Sequence, residues 1–322
     1  MTALEKMDGL FDCRKAWATT LEALAADDDR IVAVVNDSVG SSNLGGFKSA
    51  YADRLVNVGI AEQNMVGVGA GLANGGRIPF VSAASCFLSA RALEQIKADV
   101  AYSKYNVKLV GQSSGVAYGE LGATHHSIED FAWLRALQDV TVIAPADPWE
   151  TEEAVRWAAE QQGPFYLRLS RMKVPDLGPD ADGKRAFTPG KMRLMRRGSD
   201  VTIFASGTTV HLAIEAASAL AQNNLSTRVY SAHTLNPLDE TAVLAAAQET
   251  GAIVTCEEAL VRGGFGGAVA ELTSANKPVP IERVGFQGFQ TTGDVNWLFK
   301  QNAITADGIA EAARRALSRK PN

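Results

Sequence analysis

Short runs of β-branched and apolar residues alternate along this chain with longer segments rich in Ala, Leu and Glu, and that alternation leaves few folds open. Strands separated by helix-length segments cannot close into hairpins. They pair in parallel through crossovers, with helices covering the sheet. The fold class read from the sequence is therefore α/β, with two parallel-sheet α/β domains in succession. In the first, the spacing predicts strands at Ile31 to Val35, Leu55 to Val58, Ile78 to Ser82, Val107 to Val110, Val140 to Ala144 and Phe165 to Leu169. Several are almost wholly apolar, as strands buried on both faces should be. Helices are expected between them at Arg14 to Ala26, Glu62 to Asn74, Phe87 to Tyr102, Ser127 to Leu137 and Trp149 to Gln161. Gly75-Gly76 supplies a stop for the second of these.

The stretch from Met172 to Asp200 changes character, with Pro175, Gly178-Pro179, Asp182-Gly183 and Pro189-Gly190 ahead of a basic cluster. It reads as a connector. The rhythm then restarts with strands at Val201 to Ala205, Thr227 to Ser231, Ala252 to Cys256 and Val279 to Val284, and helices over 209–222, 239–248, 266–274 and 306–317. The expected domains are 1–175, a linker over 176–199, and 200–322.

Composition excludes several function classes. With 31 Lys+Arg against 36 Asp+Glu the formal charge is -5, which gives no attraction for nucleic acid or an anionic membrane. Three cysteines without a CxxC spacing and four histidines suggest neither a disulfide framework nor a structural zinc site, and no metal ligands are assigned to this chain. The start lacks the basic-then-apolar order of a leader, and no apolar run approaches the roughly 20 residues of a membrane span. The expectation is a cytoplasmic protein.

Open parallel sheets place ligands at the carboxyl ends of their strands, and four polar or glycine-rich clusters fall there. They begin at Asn36, Gly59, Gly119 and Ser170. Glu62 stands where a strand gives way to a helix, so on its own it reads as a helix-start carboxylate. Gly67, Gly69 and Gly71 do not complete GxGxxG, and their place inside a helix pattern points to close packing.

The segment Val58-Gly59-Ile60-Ala61-Glu62-Gln63-Asn64-Met65 resembles the cofactor-glutamate segment of transketolases and related thiamine-diphosphate enzymes. The whole chain resembles their pyrimidine-binding domain followed by their C-terminal domain. The resemblance implies that Glu62 hydrogen-bonds the aminopyrimidine ring of thiamine diphosphate and promotes loss of the proton at thiazolium C2. Phe87 matches the aromatic residue that stacks on that ring, although Ala90 and Leu93 stand where many members carry further aromatics. Thr124-His125-His126 resembles the active-site histidine loop, with His125 at the position that contacts the sugar and cofactor intermediate, and His126 either behind it or at a partner contact. Arg14, Ser42 and Arg171 match contacts to the phosphate end of a sugar-phosphate substrate.

Leu121 departs from this pattern by replacing an aspartate that recognises a substrate hydroxyl, and Ser113 falls where an imidazole is usual. Both losses remove polar discrimination and admit an unusual or branched sugar phosphate. The glycine-rich run Gly263 to Gly267 reads as a tight helix start, and His233 as structural or interfacial.

The resembled enzymes hold the diphosphate and its Mg²⁺ or Ca²⁺ with a Gly-Asp-Gly motif, which these 322 residues lack. The resemblance therefore implies the C-terminal subunit of a split transketolase, active only with an N-terminal subunit that carries the diphosphate and metal site. An α2β2 heterotetramer is the expected assembly. The same half-architecture occurs in β subunits of 2-oxo-acid dehydrogenases and in deoxyxylulose-phosphate synthase. Arg14, Ser170-Arg171 and Thr124-His125-His126 argue against the first, and the Leu121 loop argues against the second.

Overall fold

A computed structural model describes residues 9–320 of the chain. Its strands are β1 (Leu10–Asp12), β2 (Ile31–Val35), β3 (Leu55–Asn57), β4 (Ile78–Ala84), β5 (Lys108–Gln112), β6 (Thr141–Ile143) and β7 (Phe165–Leu169). They continue with β8 (Lys173–Pro175), β9 (Arg193–Arg196), β10 (Val201–Ala205), β11 (Thr227–Ser231), β12 (Thr234–Asn236), β13 (Ile253–Leu260) and β14 (Ile281–Phe286). The larger sheet has the order β12-β6-β7-β5-β4-β2-β3, and the smaller has β14-β13-β10-β11-β9. All neighbours in the larger sheet are parallel except β12. In the smaller sheet only β9 runs against its neighbour. β1 and β8 form a separate antiparallel pair.

Alternation along β2 explains how the larger sheet is covered. Ile31, Ala33 and Val35 pack with Trp17, Leu21 and Val155 on one face, where the helices Cys13–Asp27 and Pro148–Glu160 lie. Val32 and Val34 point the other way, into a core with Met65, Val66 and Ile96 that continues into Phe204, Ile253 and Phe265 of the second half. One hydrophobic core thus crosses from one sheet to the other.

The larger departures from the sequence reading are four, beside shifts of one to four residues at other element ends. The helix expected over Phe87 to Tyr102 begins at Ser85, breaks at Ala92 and ends in a π-helical turn, Ile96–Ala101. The helix expected from Ser127 begins only at Asp130, because Ser127 exchanges backbone hydrogen bonds with Gly115. The connector over 176–199 contains β9, which pairs with β11 and so belongs to the second sheet. Within 200–322, β12 pairs with β6 and extends the first sheet instead. Of the three helical glycines, only Gly69 is required by packing. A Cβ there would lie 2.6 Å from a Val81 methyl, whereas Gly71 has open space.

The second half carries its own cap. Glu257, fully buried, accepts hydrogen bonds from the backbone N–H groups of Phe265 and Gly266 at 2.7 and 2.8 Å. Those are orphan donors at the start of the helix Phe265–Asn276. Burial pushes the Glu257 carboxyl up to about 7, against the pull of the two N–H groups. A Cβ at Gly264 would sit 2.2 Å from Glu257 Oε2, so the glycine run lets the carboxylate approach.

Candidate active site

The strand order reverses at β2, with β3 on one side and β4 on the other. Such a switch point opens a crevice at the carboxyl ends of the strands. A cleft of about 380 Å³ lies there, lined among others by Asn36, Glu62, Phe87, Arg91, Tyr118 and His125. These residues come from the loops or helices after β2, β3, β4 and β5. A larger cavity of about 820 Å³ sits between the helices Cys13–Asp27 and Pro148–Glu160, lined by Thr20, Trp149, Glu152 and Arg156, and shares no residue with this cleft.

Glu62 opens the helix Glu62–Asn74 and is completely buried. Gly59, with φ +74, turns the chain from β3 towards it. Asn57 Oδ1 accepts from the N–H of both Asp37 and Gly59, which ties together the loops after β2 and β3. Both carboxylate oxygens of Glu62 are engaged. Asn36 Nδ2 donates to Oε1 at 2.7 Å, and Arg91 Nη1 donates to Oε2 at 2.5 Å. Burial pushes the Glu62 carboxyl up, but Arg91, the backbone and Asn36 together outweigh it and hold the group below the usual glutamate range. Asn36 Oδ1 is buried with no donor among the described residues.

Phe87 and His125 meet in the cleft, their rings edge-on with centroids 5.1 Å apart. Tyr118 meets His125 the same way at 6.0 Å. Thr124 Oγ1 lies 3.0 Å from His125 Nδ1, which leaves Nε2 for a ligand. His126 turns inward and is buried, which lowers its pKa. Leu121 is 54% exposed at the cleft, which Ile60, Ala84 and Phe87 also line with apolar surface.

A buried network holds the stem of the His125 loop. Arg168 Nε donates to Asp130 Oδ2 at 2.8 Å, and Ser85 and Tyr166 donate to the same oxygen at 3.0 and 2.9 Å. Arg168 Nη2 reaches the backbone carbonyls of Ser127 at 3.1 Å and Glu258 at 2.8 Å. Glu258 Oε1 accepts from the Val116 N–H at 3.0 Å. The loop is thereby anchored to the second half of the chain.

The three residues matched to a phosphate end fare differently. Arg14 commits its guanidinium to Asp12, at 3.0 and 2.7 Å, while Nη1 lies 3.4 Å from the Ser41 carbonyl. Arg171 is exposed, its guanidinium carbon 5.1 Å from the centroid of Tyr118. Ser42 has no exposed surface, and its hydroxyl is 3.1 Å from that of Ser82. The turn through Asn43, with φ +57, points Ser42 inward and leaves Ser38 and Ser41 to line the cleft. His233 lies outside the cleft, buried and stacked on Phe187 at 4.4 Å.

Sequence reasoning missed Arg91 and Tyr118. Arg91 follows Phe87 by four residues, the helical spacing that brings two side chains to one face, and that signal was present. Tyr118 precedes the Gly119-Glu120 motif and had no periodic signal of its own.

Residues 10–176 match the transketolase pyrimidine-binding domain, and residues 190–309 match the transketolase C-terminal domain. One of the subunits of an apulose-4-phosphate transketolase from Phocaeicola vulgatus is 40% identical, over 95% of this chain and 97% of its own length. A subunit of a 6-deoxy-6-sulfo-D-fructose transketolase from a Clostridium species is 39% identical over 95% of each chain. Among solved structures, a split-gene transketolase described as an inactive β4 tetramer superposes with a TM-score of 0.87 at 36% identity, covering 96% of this chain and 99% of that one. Both domains, in family order and built around the switch-point cleft, place this chain in the transketolase family.

Proposed function

We propose that this chain is the C-terminal subunit of a split transketolase that moves a two-carbon ketol unit from a ketose phosphate to an aldose. The observation that carries the reading is the meeting of Glu62, Phe87 and His125 at one cleft. The cleft suits one end of thiamine diphosphate. Phe87 offers a flat apolar face, Glu62 a carboxylate for a ring nitrogen, and Asn36 Oδ1 an acceptor still lacking a donor. When bound, thiamine diphosphate supplies the nucleophilic carbon that carries the two-carbon unit.

The chain's own residues do the rest. Glu62 holds a proton at the ring nitrogen, and its buried hydrogen bond from Asn36 fixes the carboxylate plane. His125, oriented through Nδ1, turns Nε2 to the oxygens of the reacting sugar. Leu121 presents apolar surface where a hydroxyl-binding group would otherwise stand, which favours a substrate without a hydroxyl to satisfy there.

On this reading Arg171, over Tyr118, and Arg14, beside Ser41, hold the phosphate end of the substrate, each next to a residue that lines the cleft. Arg171→Ala should raise KM for phosphorylated ketoses about tenfold or more, with little change for non-phosphorylated analogues, because a charge-assisted phosphate contact is worth ~1.5–3 kcal/mol. Arg14 should show a smaller selective effect, since Asp12 already occupies its fork. Equal losses for both substrate classes would make either arginine structural.

The diphosphate and its Mg²⁺ or Ca²⁺ belong on this reading to an N-terminal partner subunit, in an α2β2 assembly. The relative described as an inactive β4 tetramer supports it. Mixing the two purified subunits should give thiamine-diphosphate-dependent cleavage of ketose phosphates, with this chain alone inactive. Turnover by the chain alone at the rate of the mixture, with partner excluded by intact mass, would overturn the split-enzyme reading.

A further inference from the structure

We infer that Arg91 is a resident stand-in for the cofactor's aminopyrimidine ring, and that it must withdraw before the ring can enter. The inference rests on the proposed thiamine-diphosphate site. The Arg91 guanidinium carbon lies 4.6 Å above the centroid of Phe87, while Nη1 donates to Glu62 Oε2 at 2.5 Å. A planar cation over the face of an aromatic ring, with one N–H on a buried carboxylate, occupies the places a protonated aminopyrimidine would take. The guanidinium and the ring cannot lie on the same face of Phe87 at once.

The surroundings permit withdrawal. Arg91 is the last residue of the helix Ser85–Arg91, and its side chain is 47% exposed, whereas Glu62 is buried. A long side chain at a helix end, wet on one side, can swing to solvent without disturbing the core. The pair also explains how a carboxylate with no exposed surface is tolerated before the cofactor arrives, since an unpaired buried charge would be costly. Arg91 thus keeps Glu62 ionised and Phe87 covered, and it sets a barrier to loading.

The test uses the complex of both subunits, with thiamine diphosphate and Mg²⁺, and follows cofactor binding by stopped-flow tryptophan fluorescence and calorimetry. Arg91→Ala should bind the cofactor three- to tenfold faster or tighter than wild type, because a half-exposed ion pair and a cation–π contact need no longer be broken. Free guanidinium ion at low millimolar concentration should slow binding to Arg91→Ala again, by refilling the vacated place, and leave wild type unchanged. Arg91→Lys, which keeps the charge without the planar guanidinium, should fall between the two. If Arg91 instead stays on Glu62 in the loaded enzyme, Arg91→Ala binds more weakly and added guanidinium strengthens binding, which overturns the inference. Absence of binding by wild type and every variant would overturn the thiamine-diphosphate reading itself.

Discussion

Replacing Glu62 by Gln is expected to slow exchange of the bound cofactor's C2 proton by about a hundred- to ten-thousand-fold in the two-subunit complex, the range for loss of a positioned acid–base group. Gln fills the same space and can still accept from Asn36 Nδ2, so the fold should survive. It cannot hold the ring-nitrogen proton as an anion, because a neutral amide carries no negative charge to stabilise that proton. Deuterium exchange at C2, read by NMR after acid quench, isolates this step from sugar binding. Exchange within a few-fold of wild type would remove Glu62 from its assigned role.

The same carboxylate makes a pH prediction for the isolated subunit. Its folded pKa is depressed, so the stabilisation from its partners is fully present above the unfolded value and is lost as pH falls through the lower folded one. Glu62→Gln should flatten that acid limb in thermal melts. An acid limb identical in wild type and Glu62→Gln would show that the pair adds nothing to stability.

The second large effect concerns Asp130. It is fully buried and receives Arg168, Ser85, Tyr166 and the backbone N–H of Phe131. Asp130→Ala would leave the Arg168 guanidinium buried without its counter-ion, a change that costs ~3–5 kcal/mol. At ~1.5 °C per kcal/mol for a chain of 322 residues, the melting midpoint should fall by roughly 4–8 °C. Asp130→Asn keeps the shape but not the charge, and should lose less. Because Arg168 also holds the Ser127 carbonyl at the stem of the His125 loop, turnover should drop even at temperatures where the variant is folded. A midpoint within about 2 °C of wild type would mean that solvent or Glu258 compensates Arg168, contrary to the geometry.

Much of this candidate site was legible through the family resemblance. Glu62 and His125 sit in local motifs whose residues are contiguous, so a short window carries the likeness. Phe87, by periodicity a core residue, entered the site through the same likeness. The partners that tune them were not: Asn36 reaches Glu62 across 26 positions and Arg91 across 29. Ser42 shows the limit inside a single motif, because one residue of difference in a turn decides whether a hydroxyl faces the cleft or the core.

By itself the sequence determined the α/β class and the cores of its longer elements, since strand and helix periodicity is a local property of side chains. Ile31–Val35, Phe165–Leu169, Val201–Ala205 and Thr227–Ser231 are strands over the same residues that the apolar runs mark, and Glu62–Asn74 is a helix over its expected span. Only the tertiary structure decided that Thr234–Asn236 crosses to the first sheet, that Arg193–Arg196 joins the second, and that Arg168 binds the histidine loop to the second half. Three- and four-residue strands are too short to show a period, and long-range hydrogen bonds are chosen by whichever backbone and charged groups the packed core brings within reach.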